Sequence, residues 1–154
     1  MKISARVDYG LQAIAQIAVS TAARERISAE AIARRHKIPY KFLEGILAQL
    51  KSAELLVSHR GNAGGYELAR NAADITVADV VRAIDGPLAS VRDQAPEAAR
   101  YAPPIANLTK IWIATRVALR DVLEEITLAD LITDKFSSAI ARRIDRPDAW
   151  RRRK

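Results

Sequence analysis

Residues 59–65 read HRGNAGG, a stretch holding three of the six glycines in the chain. It sits between two short apolar runs, LLVS at 55–58 and YELA at 66–69. Glycine and asparagine tolerate positive φ, so a loop of this composition can reverse the chain tightly. Two runs this short on either side of such a loop pair as an antiparallel hairpin. A lone hairpin is marginal in water, so it must lean on other structure, and most of the rest of the chain carries helical periodicity. The expected fold class is mainly α with a small β-hairpin.

Upstream, a first helix is expected from about Ser4 to Ala22, with Val7, Leu11, Ile14 and Ala18 on one face. Ser28 then caps a second, short helix with Glu30 in its first turn, and Ile27 and Ile32 are placed as a hydrophobic staple. That helix ends near His36. Lys37-Ile38-Pro39 turns the chain, and the proline suits the start of a third helix. Phe42, Leu43, Ile46, Leu47 and Leu50 form one apolar stripe on it, leaving Tyr40, Lys41, Glu44, Gly45 and Ala48 to point elsewhere. Two helices across a short turn, the second with a polar N-terminal end, make a helix-turn-helix. A hairpin directly after it is a wing, whose loop carries His59 and Arg60.

Thr76-Val-Ala-Asp79 opens a fourth helix in capping-box style, with Val80, Val81 and Ile84 on one face, and Asp85-Gly86-Pro87 stops it. From about Leu108 a longer helix begins. Trp112, Leu119 and Ile126 recur every seven residues, with Ile111, Ala118 and Val122 beside them, which is the pattern of a helix packed along a partner. Thr127-Leu-Ala-Asp130 starts a short last helix. The domains expected are a winged helix-turn-helix at 1–86 and an irregular, proline-containing connection at 87–107. A long dimerisation helix with the short helix fills 108–133, and a basic tail occupies 134–154.

Charge is divided unevenly. Residues 1–70 hold 11 basic and 6 acidic side chains, residues 71–133 hold 6 and 9, and residues 134–154 hold 8 and 3. Basic ends around an acidic middle suit a chain whose ends face a polyanion. With no cysteine and two histidines, His36 and His59, disulfides, thiolate chemistry and ordinary metal sites are excluded. No cofactor and no metal ligand is expected. No phosphate-binding glycine loop, nucleophile elbow or acid/base pair at motif spacing appears, so no catalytic residue is assigned and an enzyme is not expected. Gln12 and Gln16 interrupt the apolar stretch 11–23, and no run approaches the ~20 apolar residues of a membrane span. The expected setting is cytoplasmic, with no membrane partner.

The segment IPYKFLEGILAQLKSAELLVSHRGNAGGYELAR resembles the Rrf-two family of bacterial winged-helix transcription regulators. The resemblance spans residues 1–133 and includes KISARVDYGLQAI, ITVADVVRAIDGPLA and ITLADL. It implies a homodimer crossing its long helices and binding double-stranded DNA at a partly palindromic operator. Carried onto this sequence, it implies recognition-helix contacts from Tyr40, Lys41 and Glu44. It also implies a minor-groove arginine at Arg60 and phosphate contacts from Lys2 and Arg6. Gly61 and Gly64 let the wing backbone approach DNA, and Trp112, Leu119, Val122 and Ile126 are the candidate dimerisation residues. Sensing members of the family hold a cluster on three cysteines in the connection, where this chain has none; Asp8 alone cannot hold one. The function expected is that of a sequence-specific regulator, a repressor, with a small-molecule or protein effector. The alternative is a protein-interaction module on a winged-helix scaffold, regulated by a partner protein.

Overall fold

The computed structural model describes residues 2–151. Helix α1 spans Ala5–Ala22, α2 Ala29–His36 and α3 Tyr40–Ser52, followed by strands β1 (Leu56–His59) and β2 (Gly65–Leu68). Then come α4 (Val77–Asp85), α5 (Leu108–Leu123), α6 (Leu128–Thr133) and α7 (Ser138–Ile144). The residues between α4 and α5 are irregular apart from a short 3₁₀ turn at Pro96–Ala98.

Caps fix most of the helix starts. Ser4, Ser28 and Ser137 each accept a backbone N–H from the residue three positions on, using one of the helix's orphan donors. Thr76 with Asp79 and Thr127 with Asp130 form two complete capping boxes. The Thr127 hydroxyl and backbone N–H together hold the Asp130 carboxyl below its ordinary range. These twin starts lie side by side. Val77 N–H donates to Ile126 O at 2.8 Å and Leu128 N–H to Ile75 O at 2.9 Å, so the entries to α4 and α6 pair antiparallel.

The core gathers Ile14 and Ile17 of α1, Ile32 of α2, Leu43, Ile46, Leu47 and Leu50 of α3, Val80 of α4 and Leu128 of α6, all fully buried. α1 runs through the middle, packed by α3, α4, α6 and β2. Gly10 permits this closeness: a Cβ there would lie 2.2 Å from Ile84 Cδ1. The hairpin pairs Leu56 with Leu68 and His59 with Gly65. Its β2 edge is tied to the chain before α2, with Tyr66 N–H donating to Ile27 O at 2.9 Å.

Three sequence expectations need correcting. Phe42 does not join the buried stripe of α3. It is 37% exposed and meets Tyr9 edge-on at 5.8 Å, because the stripe facing the core is the 43/46/47/50 row. Ile126 is not on the long helix, since α5 ends at Leu123 and the Ile126 carbonyl is engaged by α4. The tail also begins with a helix. α7 buries Ile140, and Arg143 donates to Asp121 O at 3.2 Å, so residues 138–144 are docked beside the end of α5. Residues 152–154 of the basic end lie outside the described residues.

Candidate nucleic-acid interface

The turn between α2 and α3 holds Lys37 in the left-handed region (φ 55°), and Pro39 caps α3 with no side-chain bond of its own. This geometry leaves the first turn of α3 standing clear of the core. Tyr40, Lys41, Glu44 and Gly45 are all exposed there. Lys41 makes no hydrogen bond or ion pair among the described residues.

Tyr40 and the acids around it form a small network. The Tyr40 hydroxyl donates to Glu30 Oε1 at 3.2 Å. Desolvation, then the charge of Glu30 and a hydrogen bond to Glu44, push the Tyr40 phenol up to about 12, so it stays a donor at neutral pH. Glu30 is held below the usual carboxylate range by its own backbone N–H, the Ser28 hydroxyl and Tyr40. The Tyr66 phenol on β2 is pushed up by burial and then by Glu44 and Glu30. The start of α2, the start of α3 and the base of the wing therefore share one surface.

The wing is braced from inside. His59 Nε2 and Glu67 Oε1 lie 2.7 Å apart, and Arg26 Nε donates to Glu67 at 3.4 Å. These contacts, first the bond to His59, hold Glu67 below the usual range. His59 is thus a strut rather than a free contact. Beyond it Arg60 is exposed and unpaired among the described residues. Gly61 takes φ 96°, and a Cβ on Gly64 would sit 2.5 Å from His59 O and 2.7 Å from Gly61 O. The loop folds this tightly only without those side chains, and the fold aims Arg60 outward.

At the α1 start, Lys2 is exposed, whereas Arg6 is half-buried. Arg6 donates to Gln49 Oε1 at 2.5 Å and lies 5.6 Å over the Phe42 ring. It spends its guanidinium on α3 and Phe42, a packing role its sequence position gave no sign of. Asp8 accepts from Gln12 Nε2 at 2.8 Å and forms no ion pair among the described residues.

Along α5 the faces separate differently from the seven-residue spacing. Trp112 donates to Tyr101 OH at 3.1 Å, and Leu119 lines a cleft with Val7 and Leu11 of α1 and Val81 of α4. Both are half-buried against their own chain, as is Val122 in part. Ile111, Ala114, Thr115 and Ala118 face outward, with Ile111 57% exposed. The signal for this outward stripe was present in the sequence as a 3.6-residue period, hidden by the heptad of larger residues.

A helix-turn-helix with its second helix exposed at the N-terminus, followed by a braced wing, defines a winged helix-turn-helix DNA-binding protein. Residues 3–134 match the Rrf2 family, described as iron-dependent transcriptional regulators. An HTH-type transcriptional regulator from Mycobacterium tuberculosis is 42% identical over 145 residues, covering 94% of this chain and 89% of the relative. CymR of Bacillus subtilis is 33% identical over 131 residues, 85% of this chain and 89% of that one. Its solved structure superposes with a TM-score of 0.68 at 29% identity, covering 87% and 98%. The structure of T. potens IscR does so with 0.69 at 30% identity, covering 87% and 88%. The chain belongs to the Rrf2 family: it is a DNA-binding transcriptional regulator and not an enzyme. No described helix is long and apolar enough to cross a membrane.

The iron dependence in the family description does not fit these residues. The sequence has no cysteine, and no three potential ligand side chains come together among the described residues. His36 faces Gln16 at 3.4 Å and His59 is committed to Glu67. A soft iron–sulfur centre needs thiolate donors that this chain cannot offer.

Proposed function

We propose that this regulator is a homodimeric repressor that inserts α3 into the major groove and the wing into the minor groove of a partly palindromic operator. The observation that carries the reading is the exposure of Lys41 on α3 and Arg60 on the wing, both without acidic partners among the described residues. Tyr40 and Lys41 reach base edges or phosphates from the positive end of α3. Glu44, exposed one turn after Tyr40, repels phosphate but can accept from a cytosine amino group, so it contributes choice of sequence rather than affinity. Arg60 enters a narrow A·T-rich minor groove, where the potential is most negative, with Gly61 and Gly64 keeping the loop thin. Lys2 meets backbone phosphate, and Arg6 supports α3 from beneath.

Dimerisation is assigned to the outward stripe Ile111, Ala114 and Ala118 of α5, with Val122, partly covered by its own chain, at its edge. An apolar stripe on a long helix that no part of its own chain covers is what a second copy crossing it buries. Trp112 and Leu119 set the angle of α5 on its own domain. The test is a gel shift with DNA upstream of the chain's own gene, beside scrambled DNA, with sizing of the free protein. A retarded, sequence-dependent complex of two chains per site supports the reading. Equal affinity for scrambled DNA, or specific binding by a monomer, refutes it.

A further inference from the structure

A cleft of about 290 Å³ lies between α4 and α5, roofed by the connection that joins them. Arg82 of α4 and Arg116 and Arg120 of α5 line it, with Ser90 and Gln94 of the connection. Arg116 is the informative member. Its side chain is 19% exposed, and its Nε–H is buried with no hydrogen-bond partner. A buried donor left unmade is costly, and such groups mark sites where a missing partner completes the structure.

The acids nearby are replaceable counter-ions. Glu97 holds Arg116 Nη1 at 2.6 Å but is itself 57% exposed; besides Arg116 it is held by its own backbone N–H and by the charge of Arg120. Glu124, 43% exposed, serves both Arg82 and Arg120. Ion pairs with one partner this exposed are weak and exchange readily. The rim is held by a tight turn, Val91 to Gln94, with Arg92 (φ 55°) and Asp93 (φ 60°) both in the left-handed region. Non-glycine residues in that region are uncommon and cluster where geometry serves a site.

We propose that this cleft binds a small molecule carrying an oxyanion, a carboxylate or a phosphate group, with Arg116 as its main partner and Arg82 and Arg120 flanking it. A cleft of this volume has room for a compact metabolite. Asp85 and Asp93 on the same lining disfavour a highly charged polyanion. An occupant would tie α4, which packs on α3, to α5, and so fix the DNA-reading unit against the dimerisation helix. Only that regulatory consequence rests on the proposed function. The binding itself does not, and its test contains no DNA.

Trp112 lies one turn before Arg116 and donates to Tyr101, whose ring lies 5.4 Å from the guanidinium of Arg92 on the cleft's rim, so it serves as the optical probe. In a Trp150→Phe background, which removes the 82% exposed second tryptophan, the dimer or monomer as purified is titrated with inorganic phosphate and, separately, with succinate. Saturable fluorescence change and heat are expected with at least one probe; phosphate alone identifies a phosphate-bearing ligand, and succinate alone a carboxylate. Arg116→Gln should weaken binding about tenfold, the loss of one charge-assisted contact. Arg120→Gln, at a half-exposed position that leaves folding intact, should weaken it severalfold. Glu97→Gln should tighten it severalfold by removing the competing carboxylate, an effect that a purely structural role for Arg116 does not produce. No saturable response to either probe overturns the proposal. So does an unchanged affinity in both Arg120→Gln and Glu97→Gln, even if Arg116→Gln fails to melt cooperatively.

Discussion

Replacing Arg60 with alanine separates the wing's role in binding from its role in folding. The hairpin is set by the pairing of Leu56 with Leu68 through His59 with Gly65, and braced by the His59–Glu67–Arg26 contacts. Arg60 takes part in none of these. Its removal should therefore change unfolding free energy by less than about 0.5 kcal/mol, the usual size for a surface substitution. Operator binding should weaken by about 1–3 kcal/mol, equivalent to roughly 5- to 150-fold in Kd. Gly64→Ala reaches the same end by geometry. Its Cβ would stand 2.5 Å from His59 O where ordinary contact begins at 3.4 Å, so the loop must give by about 0.9 Å beside Arg60. The assay is fluorescence anisotropy on operator and scrambled DNA at several salt concentrations. Minor-groove insertion predicts a loss confined mainly to A·T-rich sites, whereas a phosphate contact predicts equal loss on both DNAs and a salt slope smaller by about one. If Arg60→Ala leaves both binding curves unmoved, the wing is a hairpin and nothing more.

Leu128→Ala removes a fully buried side chain between α6 and α1, and should cost about 2–5 kcal/mol in chemical denaturation; a loss under about 1 kcal/mol would mean that α6 is not part of the core. Ile111→Glu on the outward face of α5 should give folded monomers in sizing, while Leu119→Arg, set against α1 and α4, should lower the melting temperature first; the opposite pattern would exchange the two faces. For pH, the folded carboxyl of Glu67 lies below its ordinary value of 4.5, so its contribution is complete above that value and fades as pH falls through the lower folded one. Wing amide signals should therefore shift during acid titration below pH 4.5, and Glu67→Gln should abolish that response.

Local chemistry alone determined much of this protein. The serine and threonine caps, the Asp85-Gly86-Pro87 stop and the glycine-rich loop specify element ends through bonds made within a few residues. The family pattern was legible for the same reason, because α3 and the wing are read from contiguous segments. The absence of thiolate chemistry needs nothing beyond the sequence either. Tertiary structure decided which way shared periodicities point. The stripe on α3 is a row of apolar residues that includes Phe42, and only the placement of α1 shows that Phe42 covers Arg6 and Tyr9 instead of entering the core. On α5 two apolar faces compete, a heptad of large residues and a smaller-residue stripe. The folded-back connection claims Trp112, and α1 with α4 claims Leu119, leaving Ile111 and Ala118 outside. In sequence Arg60 stands in a polar, glycine-rich stretch and Arg116 in an apolar helical one, and neither setting shows what its guanidinium meets. One ends with no partner on an exposed loop and the other with a buried, unmade N–H in a cleft. That difference arises from contacts between residues distant along the chain, which no local pattern encodes.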